Sequence, residues 1–208
     1  MKHSTATLAF LASAFLGLSA NAQTVIQQWP AIRTPAPPEL RRVTADPKTT
    51  ALLLLDFMNQ NCRPRPRCVA SIPAVRRLLE DARAKGATIV YSTIANTTTR
   101  DVREELAPAP SEPAVQSGPD KFLRTDLEKI LRDRQVQTVI VTGTAAHGAV
   151  LHTASAAALR GFDVVVPVDG MSSEPVYPEQ YTAWHLANAP AISAKSTLTQ
   201  IDMIEFQP

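Results

Sequence analysis

Apolar runs alternate with amphipathic segments along the chain from residue 49 onward. Five runs have the length and composition of buried strands, and these strands are predicted over 50–55, 87–92, 136–142, 162–168 and 191–198. Between them, apolar residues recur at helical spacing, which predicts helices over 72–84, 126–134, 147–160 and 178–188. Strands that alternate with helices in this way form βαβ units. The pattern therefore predicts an α/β fold with a mostly parallel sheet and right-handed crossovers.

Local sequence signals mark the ends of the first long helix. Ser71 is its predicted N-cap, Pro73 lies in the predicted first turn, and Gly86 is the predicted stop. By contrast, prolines and a glycine are concentrated in 107–119, which predicts a long surface loop there.

The first 22 residues have the pattern of a secretory signal peptide. Lys2 gives a weakly positive start, and 20–22 (Ala-Asn-Ala) resembles a cleavage site. The apolar stretch between them is about 13 residues long, shorter than the roughly 20 that span a bilayer. We therefore expect cleavage near Ala22, a periplasmic or secreted protein, and no membrane contact after cleavage. Residues 23–48 are rich in proline and are predicted to form an extended arm before the domain over 49–208.

Composition narrows the functional class only partly. The chain has 208 residues and a formal net charge of +2, from 21 Lys+Arg against 19 Asp+Glu. No basic stripe indicates a nucleic-acid partner. At 45% hydrophobic, the chain is too apolar to be disordered. We therefore expect a globular domain of enzyme size, and composition by itself indicates no function.

The two cysteines lie close together in one proline-rich loop. Cys62 and Cys68 can form a disulfide if their Cα atoms approach within about 7 Å, and an exported protein can retain such a bond. The proline spacer opposes closure because it favours extended backbone. A disulfide is the favoured interpretation, and two free thiols are the alternative.

Ligands of parallel α/β sheets bind outside the carboxyl ends of the strands. That rule selects Asp56, the turn 143–149 and the turn 169–173. Asp56 follows a buried strand, so it is either a candidate general base or a structural cap of the next turn. The small residues of 143–149 allow backbone N–H groups to approach an anion at a helix start. This turn lacks the P-loop, G-x-G-x-x-G and G-x-S-x-G patterns, so the signal for an oxyanion cradle is weak.

No metal or other cofactor is expected. His147 and His152 are five residues apart and do not share one face of a helix, so they do not form a metal-binding pair. Lys121 precedes the helix over 126–134 and is either a surface lysine or a site residue. The arginines of 63–67 suit an anionic substrate, although such a cluster is more often a solvated loop.

Three segments together resemble the isochorismatase-like cysteine hydrolase family. Residues 50–59 (TALLLLDFMN) look like its first strand and catalytic aspartate, and 138–159 (TVIVTGTAAHGAVLHTASAAAL) are similar to its nucleophile-bearing turn and helix. Residues 161–173 (GFDVVVPVDGMSS) resemble the strand and turn that follow. The resemblance covers roughly 49–206. It implies a single Rossmann-like domain with helices on both faces of the sheet, hydrolysis of small amides, ureides or a vinyl ether, and often a homo-oligomer.

The resemblance assigns roles to individual residues. Asp56 matches the catalytic aspartate, and the peptide between Thr144 and Ala145 matches the family's non-proline cis peptide. The N–H groups of Ala145 and Ala149 would then form the oxyanion hole. Lys121 is the candidate for the catalytic lysine, although the family's usual spacing places that lysine where this chain has Gln116.

The main departure from the family pattern is Ala149, which occupies the position of the nucleophilic cysteine. Alanine cannot form a covalent intermediate. True isochorismatases have a small residue there and an Ala-His pair similar to Ala146 and His147, and they hydrolyse a vinyl ether without a covalent step. The chain also departs at Met58, where the family often has glutamine, and it lacks the Asp-x-His metal motif of nicotinamidases.

Three functional hypotheses follow from these residues. The first is an exported hydrolase without a covalent nucleophile, in which Asp56 is the acid or base, Lys121 positions charge, and Thr144, Ala145 and His147 bind substrate. The second is an inactive family member that binds a small molecule. The third is a hydrolase whose nucleophile has moved to Cys62 or Cys68.

Overall fold

A computed structural model of the chain describes residues 24–207, so the predicted signal peptide over 1–22 lies outside the described residues. The chain divides into two units at residues 35 and 36. In the first unit, helix α1 (Val25–Gln28) runs into a 3₁₀ turn (Trp29–Ala31). The arm predicted over 23–48 therefore includes helical turns. The second unit holds every element described below.

The second unit contains two parallel sheets. The larger sheet has seven strands in the order β4-β3-β2-β5-β6-β8, and β7 also pairs with β5. The smaller sheet pairs β1 with β9. The strands are β1 (Val43–Ala45), β2 (Thr50–Leu55), β3 (Thr88–Thr93), β4 (Ala114–Gln116), β5 (Thr138–Thr144), β6 (Asp163–Pro167), β7 (Met171–Ser172), β8 (Ser196–Thr199) and β9 (Ile204–Phe206). All of these pairs are parallel, which confirms the predicted fold class.

Helices cover both faces of the larger sheet. They are α2 (Asn59–Cys62), α3 (Pro66–Lys85), α4 (Leu127–Asp133), α5 (Leu151–Leu159) and α6 (Tyr177–Asn188), with 3₁₀ turns at Thr99–Asp101, Glu104–Leu106, Val168–Gly170, Ser193–Lys195 and Ile201–Met203. Within residues 24–207, no helix is long and apolar enough to cross a membrane.

The central strand β2 shows why its sequence is apolar at every position. Successive side chains of a strand point to opposite faces of the sheet. Leu52 and Leu54 belong to the apolar cluster that includes α3, whereas Leu53 and Leu55 belong to the cluster that includes α4, α5 and α6. Because both faces are covered, all six residues of β2 are buried.

Helix α3 begins six residues before its predicted start, so the predicted N-cap at Ser71 is wrong. Pro66 occupies the first turn, where proline is tolerated because its missing N–H would have no helical partner. Pro73 lies inside the helix. The Ser71 hydroxyl donates to the carbonyl oxygen of Cys68 at 2.8 Å. The predicted stop at Gly86 is correct, with φ of 79°.

The proline-rich segment 107–119 contains strand β4, so the prediction of an uninterrupted loop is wrong there. β4 is a three-residue edge strand that pairs with β3 on one side. A segment of three residues is too short to show the alternation of apolar and polar residues that identifies a strand, and prolines lie on both sides of it. The predicted helix over 147–160 is also divided, because a π-helical turn (Ala146–Val150) precedes α5.

The close approach of β5 to β2 requires glycine at position 143. A Cβ atom at Gly143 would lie 2.5 Å from the Leu55 carbonyl oxygen, and the φ of 150° is strained for other residues. We expect Gly143→Ala to lower the free energy of unfolding by about 3 kcal/mol, because the new methyl group must displace backbone. Urea denaturation would measure the change. Gly118→Ala is the matched control, because no atom lies within 4 Å of the position that its methyl group would take, and a similar loss in both variants would contradict the explanation.

Candidate active site

Three strand ends meet at the carboxyl edge of the larger sheet. In the register of the sheet, Leu55 at the end of β2 is paired with Ser92 of β3 on one side and with Gly143 of β5 on the other. Asp56, the next residue, therefore lies between Ser92 and the turn that begins at Thr144. This is the location that the strand-end rule predicts for a ligand site.

The Asp56 carboxylate is held by two donors. Its Oδ1 accepts a hydrogen bond from Ser92 Oγ at 2.7 Å, and its Oδ2 lies 2.7 Å from Lys121 Nζ. The Lys121 side chain is 0% exposed and that of Asp56 is 7% exposed. A buried charge is tolerated only when it is paired and hydrogen-bonded. The geometry therefore brings together Asp56, Lys121 and Ser92 as one buried charged cluster.

Lys121 reaches Asp56 from a long loop between β4 and α4. Its Nζ also donates to the Ser117 carbonyl oxygen at 3.2 Å, and its backbone N–H donates to Thr153 Oγ1 at 3.2 Å. Gln116 points elsewhere, because its Nε2 donates to the carbonyl oxygens of Ile94 and Thr97. The lysine next to Asp56 is therefore Lys121, although the family's sequence spacing favours position 116.

The backbone around Asp56 forms a tight turn. Asp56 has φ of 57°, a left-handed conformation that is uncommon for residues other than glycine, although Asp adopts it more readily than most. Its carbonyl oxygen accepts from Met58 N at 2.8 Å and from Asn61 Nδ2 at 3.0 Å. These bonds hold the turn that aims the carboxylate at Ser92 and Lys121.

The turn after β5 contains the remaining predicted site residues. The peptide between Thr144 and Ala145 is cis, and the π-helical turn follows at once. Thr144 Oγ1 donates to the Ser172 carbonyl oxygen at 3.3 Å. Ala149 is buried in the same apolar cluster as Leu55 and Phe122, which are the sequence neighbours of Asp56 and Lys121.

A second polar network supports the start of the π-helical turn. Ser173 Oγ accepts from Ala146 N at 2.9 Å and lies 3.1 Å from Nδ1 of His147, whose ring is exposed. Ser173 N donates to Glu179 Oε1 at 2.8 Å. Arg67 binds Glu179 through both Nε and Nη2. The ion pair of Arg67 and Glu179 therefore connects α3 and α6, through the hydrogen bonds of Ser173, to the turn that carries His147.

Sequence reasoning missed three of these polar residues. Ser92 is the last residue of the strand predicted over 87–92, so the strand-end rule that selected Asp56 applies to it as well. Ser173 is the end of the selected turn 169–173, but no pattern indicated its partners. Glu179 lies in the first turn of α6, and its contact with Arg67 joins residues 112 positions apart.

Asp169, in another selected turn, has a different role. Its Oδ1 accepts from Ile201 N at 2.9 Å. Partial burial raises the pKa of the Asp169 carboxyl above its usual value, and nearby Asp202 raises it further. This carboxylate thus holds the 3₁₀ turn that leads into β9.

Cys62 and Cys68 form a disulfide that joins α2 to the first turn of α3. Their Cα atoms are 5.1 Å apart, and both residues are 0% exposed. The chain has only these two cysteines. Because a disulfide offers no thiolate, the hypothesis of a relocated cysteine nucleophile is wrong for this oxidised form of the protein.

Removing the disulfide should destabilise the protein moderately. The bond closes a loop with a sequence separation of six, and chain entropy for so short a loop corresponds to about 2 kcal/mol. We expect Cys62→Ala/Cys68→Ala to lower the free energy of unfolding by this amount in urea denaturation. Addition of a reductant to the parent should give a similar loss, and no change in either experiment would contradict the assignment.

No group of three or more His, Cys, Asp or Glu side chains in the described part of the chain is arranged to hold a metal ion. The site consists instead of the buried cluster around Asp56, the turn over 144–150, and the network around Ser173. A carboxylate, an ammonium group and helix-start N–H groups are suited to proton transfer and to stabilisation of negative charge.

Comparisons with known proteins indicate the family of this chain. Residues 50–196 match the isochorismatase domain. The chain is 29% identical over 150 residues to an N-carbamoylsarcosine amidase from Arthrobacter sp, covering 56% of this chain and 57% of the amidase. It is 27% identical over 147 residues to a secreted isochorismatase effector from Verticillium dahliae, covering 64% of this chain and 77% of the effector.

Among solved structures, a cysteine hydrolase from Pseudomonas syringae pv. phaseolicola has the same fold. The TM-score is 0.67 at 20% sequence identity, over 79% of this chain and 94% of the hydrolase. The match to the isochorismatase domain covers more than half of the chain, and the strand-end cluster occupies the expected edge of the sheet. The protein therefore belongs to the isochorismatase family of hydrolases.

Proposed function

We propose that this protein is an exported hydrolase that cleaves a small amide, ureide or vinyl ether without a covalent cysteine step. The observation that carries the proposal is the buried pair of Asp56 and Lys121 at the carboxyl edge of the sheet. A buried ion pair adds little net stability compared with well-packed apolar residues. Its presence in a chain with alanine at position 149 therefore supports a chemical role that does not need a thiol.

The proposed reaction depends on proton transfer at Asp56. For an amide or ureide, the carboxylate removes a proton from an attacking water, and the proton passes to the leaving nitrogen. For a vinyl ether, the protonated carboxyl donates its proton to the alkene carbon. Water adds to the resulting oxocarbenium carbon and returns a proton to Asp56, and the hemiketal then breaks its C–O bond to release a carbonyl compound and an alcohol. Lys121 and Ser92 hold the carboxylate in position. The N–H groups of Ala145 and Ala149 stabilise the negative charge that develops on oxygen.

A hydrolysis assay on small amides, ureides and enol ethers tests the proposal. We expect the parent protein to turn over at least one substrate class, and Ala149→Cys to add covalent amidase chemistry without being required for turnover. A silent parent beside an active Ala149→Cys variant would contradict the proposal.

The second candidate function is binding without catalysis, and Ala149 is the observation that favours it. On that account the fold retains the pair of Asp56 and Lys121 but not the nucleophile, and a small carboxylate or amide would bind without being converted. Isothermal titration calorimetry with the same small amides, ureides and enol ethers would distinguish the two functions. Binding of a compound that is not hydrolysed would favour a binding protein.

Export is part of the proposal because three independent features support it. The sequence of 1–22 has the signal-peptide pattern, Cys62 and Cys68 form a disulfide, and one relative is described as secreted. We expect mass spectrometry of the protein from a bacterial periplasmic fraction to give a mature N-terminus at Gln23. An intact leader on protein recovered from the cytoplasm alone would contradict export.

A further inference from the structure

The network around Ser173 determines which nitrogen of His147 can carry a proton. Ser173 is 1% exposed, and its Oγ already accepts from Ala146 N at 2.9 Å. A buried hydroxyl that cannot donate loses hydrogen-bond energy. Among residues 24–207, the group within reach that can take its hydrogen is His147 Nδ1, at 3.1 Å.

We propose that Ser173 is a positioning residue that fixes His147 as the Nε2–H tautomer, so that His147 donates a hydrogen bond to a carbonyl or carboxylate oxygen of the substrate. The chain of donors runs from Ala146 N–H to Ser173 Oγ, and from Ser173 Oγ–H to His147 Nδ1. When Nδ1 of a neutral imidazole accepts, Nε2 carries the proton. The imidazole is exposed, which leaves it accessible to a ligand.

Charged residues on two helices hold Ser173 in this geometry. Its backbone N–H donates to Glu179 Oε1 at 2.8 Å, and Arg67 Nε donates to the same oxygen at 2.8 Å. Arg67 precedes the disulfide residue Cys68, so its backbone is anchored to α2. The Glu179 side chain is 12% exposed and that of Arg67 is 44% exposed. The tautomer of His147 is thus set by residues that the family resemblance did not assign.

The inference deepens the proposed function. Its hydrogen bond to the substrate rests on that function, whereas its tautomer does not. His147 is the second residue of the π-helical turn and follows Ala145 and Ala146 directly, so a donor there lies next to the proposed oxyanion site. A substrate with an oxygen acceptor beside the scissile group would bind both the His147 donor and the N–H groups of the proposed oxyanion site. The tautomer itself is a property of the free protein and does not require turnover.

Nitrogen NMR of the full-length protein with ¹⁵N-labelled histidine tests the tautomer directly. The signals of His147 are those that disappear in His147→Gln. In spectra of the parent protein with the His147 imidazole in its neutral form, we expect a protonated Nε2 and an unprotonated Nδ1. Ser173→Ala should give a mixture of both tautomers. Ser172→Ala is the matched control, because in the described part of the chain the buried Ser172 hydroxyl has no hydrogen-bond partner, and it should leave the His147 signals unchanged.

Two results would overturn the inference. The parent spectrum needs no variant, and a proton on Nδ1 would refute it even if Ser173→Ala failed to fold. An unchanged tautomer in folded Ser173→Ala would also refute it. In a working assay, Ser173→Ala should raise KM about tenfold with a smaller change in kcat, the effect of one weakened hydrogen bond to the substrate. Absence of turnover in the parent would refute the hydrolase proposal and leave the tautomer result standing.

Discussion

Replacing Asp56 by asparagine should lower kcat/KM by about a thousandfold. General acid–base catalysis by one positioned group contributes roughly 10² to 10⁴ in rate, and the asparagine amide cannot carry the proton. The substitution also replaces one of the two carboxylate oxygens, which accept from Ser92 and bind Lys121, by an NH2 group, and it removes the negative charge that pairs with Lys121. Steady-state kinetics on the best panel substrate would measure the loss, with circular dichroism to establish that the variant is folded.

Asp169→Asn is the matched control for this substitution. Asp169 follows β6, which is two strands away from β2 in the sheet. Its Oδ1 accepts from Ile201 N, a role that an asparagine carbonyl oxygen can fill. We expect this variant to retain activity close to that of the parent. Equal losses in the two variants would show that a carboxylate at this edge supports the fold rather than the reaction, and would contradict the role of Asp56.

Replacing Lys121 by methionine should be the most destabilising single change at the site. The Lys121 ammonium is 0% exposed and is paired with Asp56. Removing one partner of a buried ion pair leaves the other charge uncompensated, which corresponds to about 3–5 kcal/mol. We expect a loss of this size in the free energy of unfolding, together with a large fall in kcat.

Lys195→Met separates this effect from the general loss of a lysine. Lys195 binds Asp163 at 2.9 Å on the surface, where the side chains are 42% and 61% exposed. A surface ion pair contributes about 0–1 kcal/mol, so this variant should be nearly as stable as the parent. The double variant Asp56→Asn/Lys121→Met should recover part of the stability lost in Lys121→Met. A loss below about 1 kcal/mol for Lys121→Met would contradict the buried-pair assignment.

The fold could be predicted where one physical signal dominates. β2 is apolar throughout because it is covered on both faces, and its predicted limits at 50–55 match the structure. The start of α3 could not be predicted in the same way. Pro66 begins the helix and Pro73 lies within it, whereas local rules treat a proline as the start or the end of a helix. Tertiary packing and the link to Cys62 outweigh the local preference.

The site was only partly predictable because its contacts are non-local. Asp56 could be selected because it ends a strand at the carboxyl edge of the sheet. Lys121 meets it across 65 positions of sequence, through a loop whose path no local pattern specifies. The link from Ser173 to Glu179 and Arg67 depends on how α3 and α6 pack, so it could be recognised only in the folded chain.

Turnover by a protein without cysteine tests the central claim most directly. Cys62→Ala/Cys68→Ala removes every thiol and disulfide from the chain, since these are its only cysteines. Assayed below its melting temperature against the substrate panel, this variant should retain most of the parent's activity, and Asp56→Asn in the same background should abolish it. Loss of activity in the folded cysteine-free variant, with Asp56 intact, would contradict hydrolysis without a covalent cysteine step.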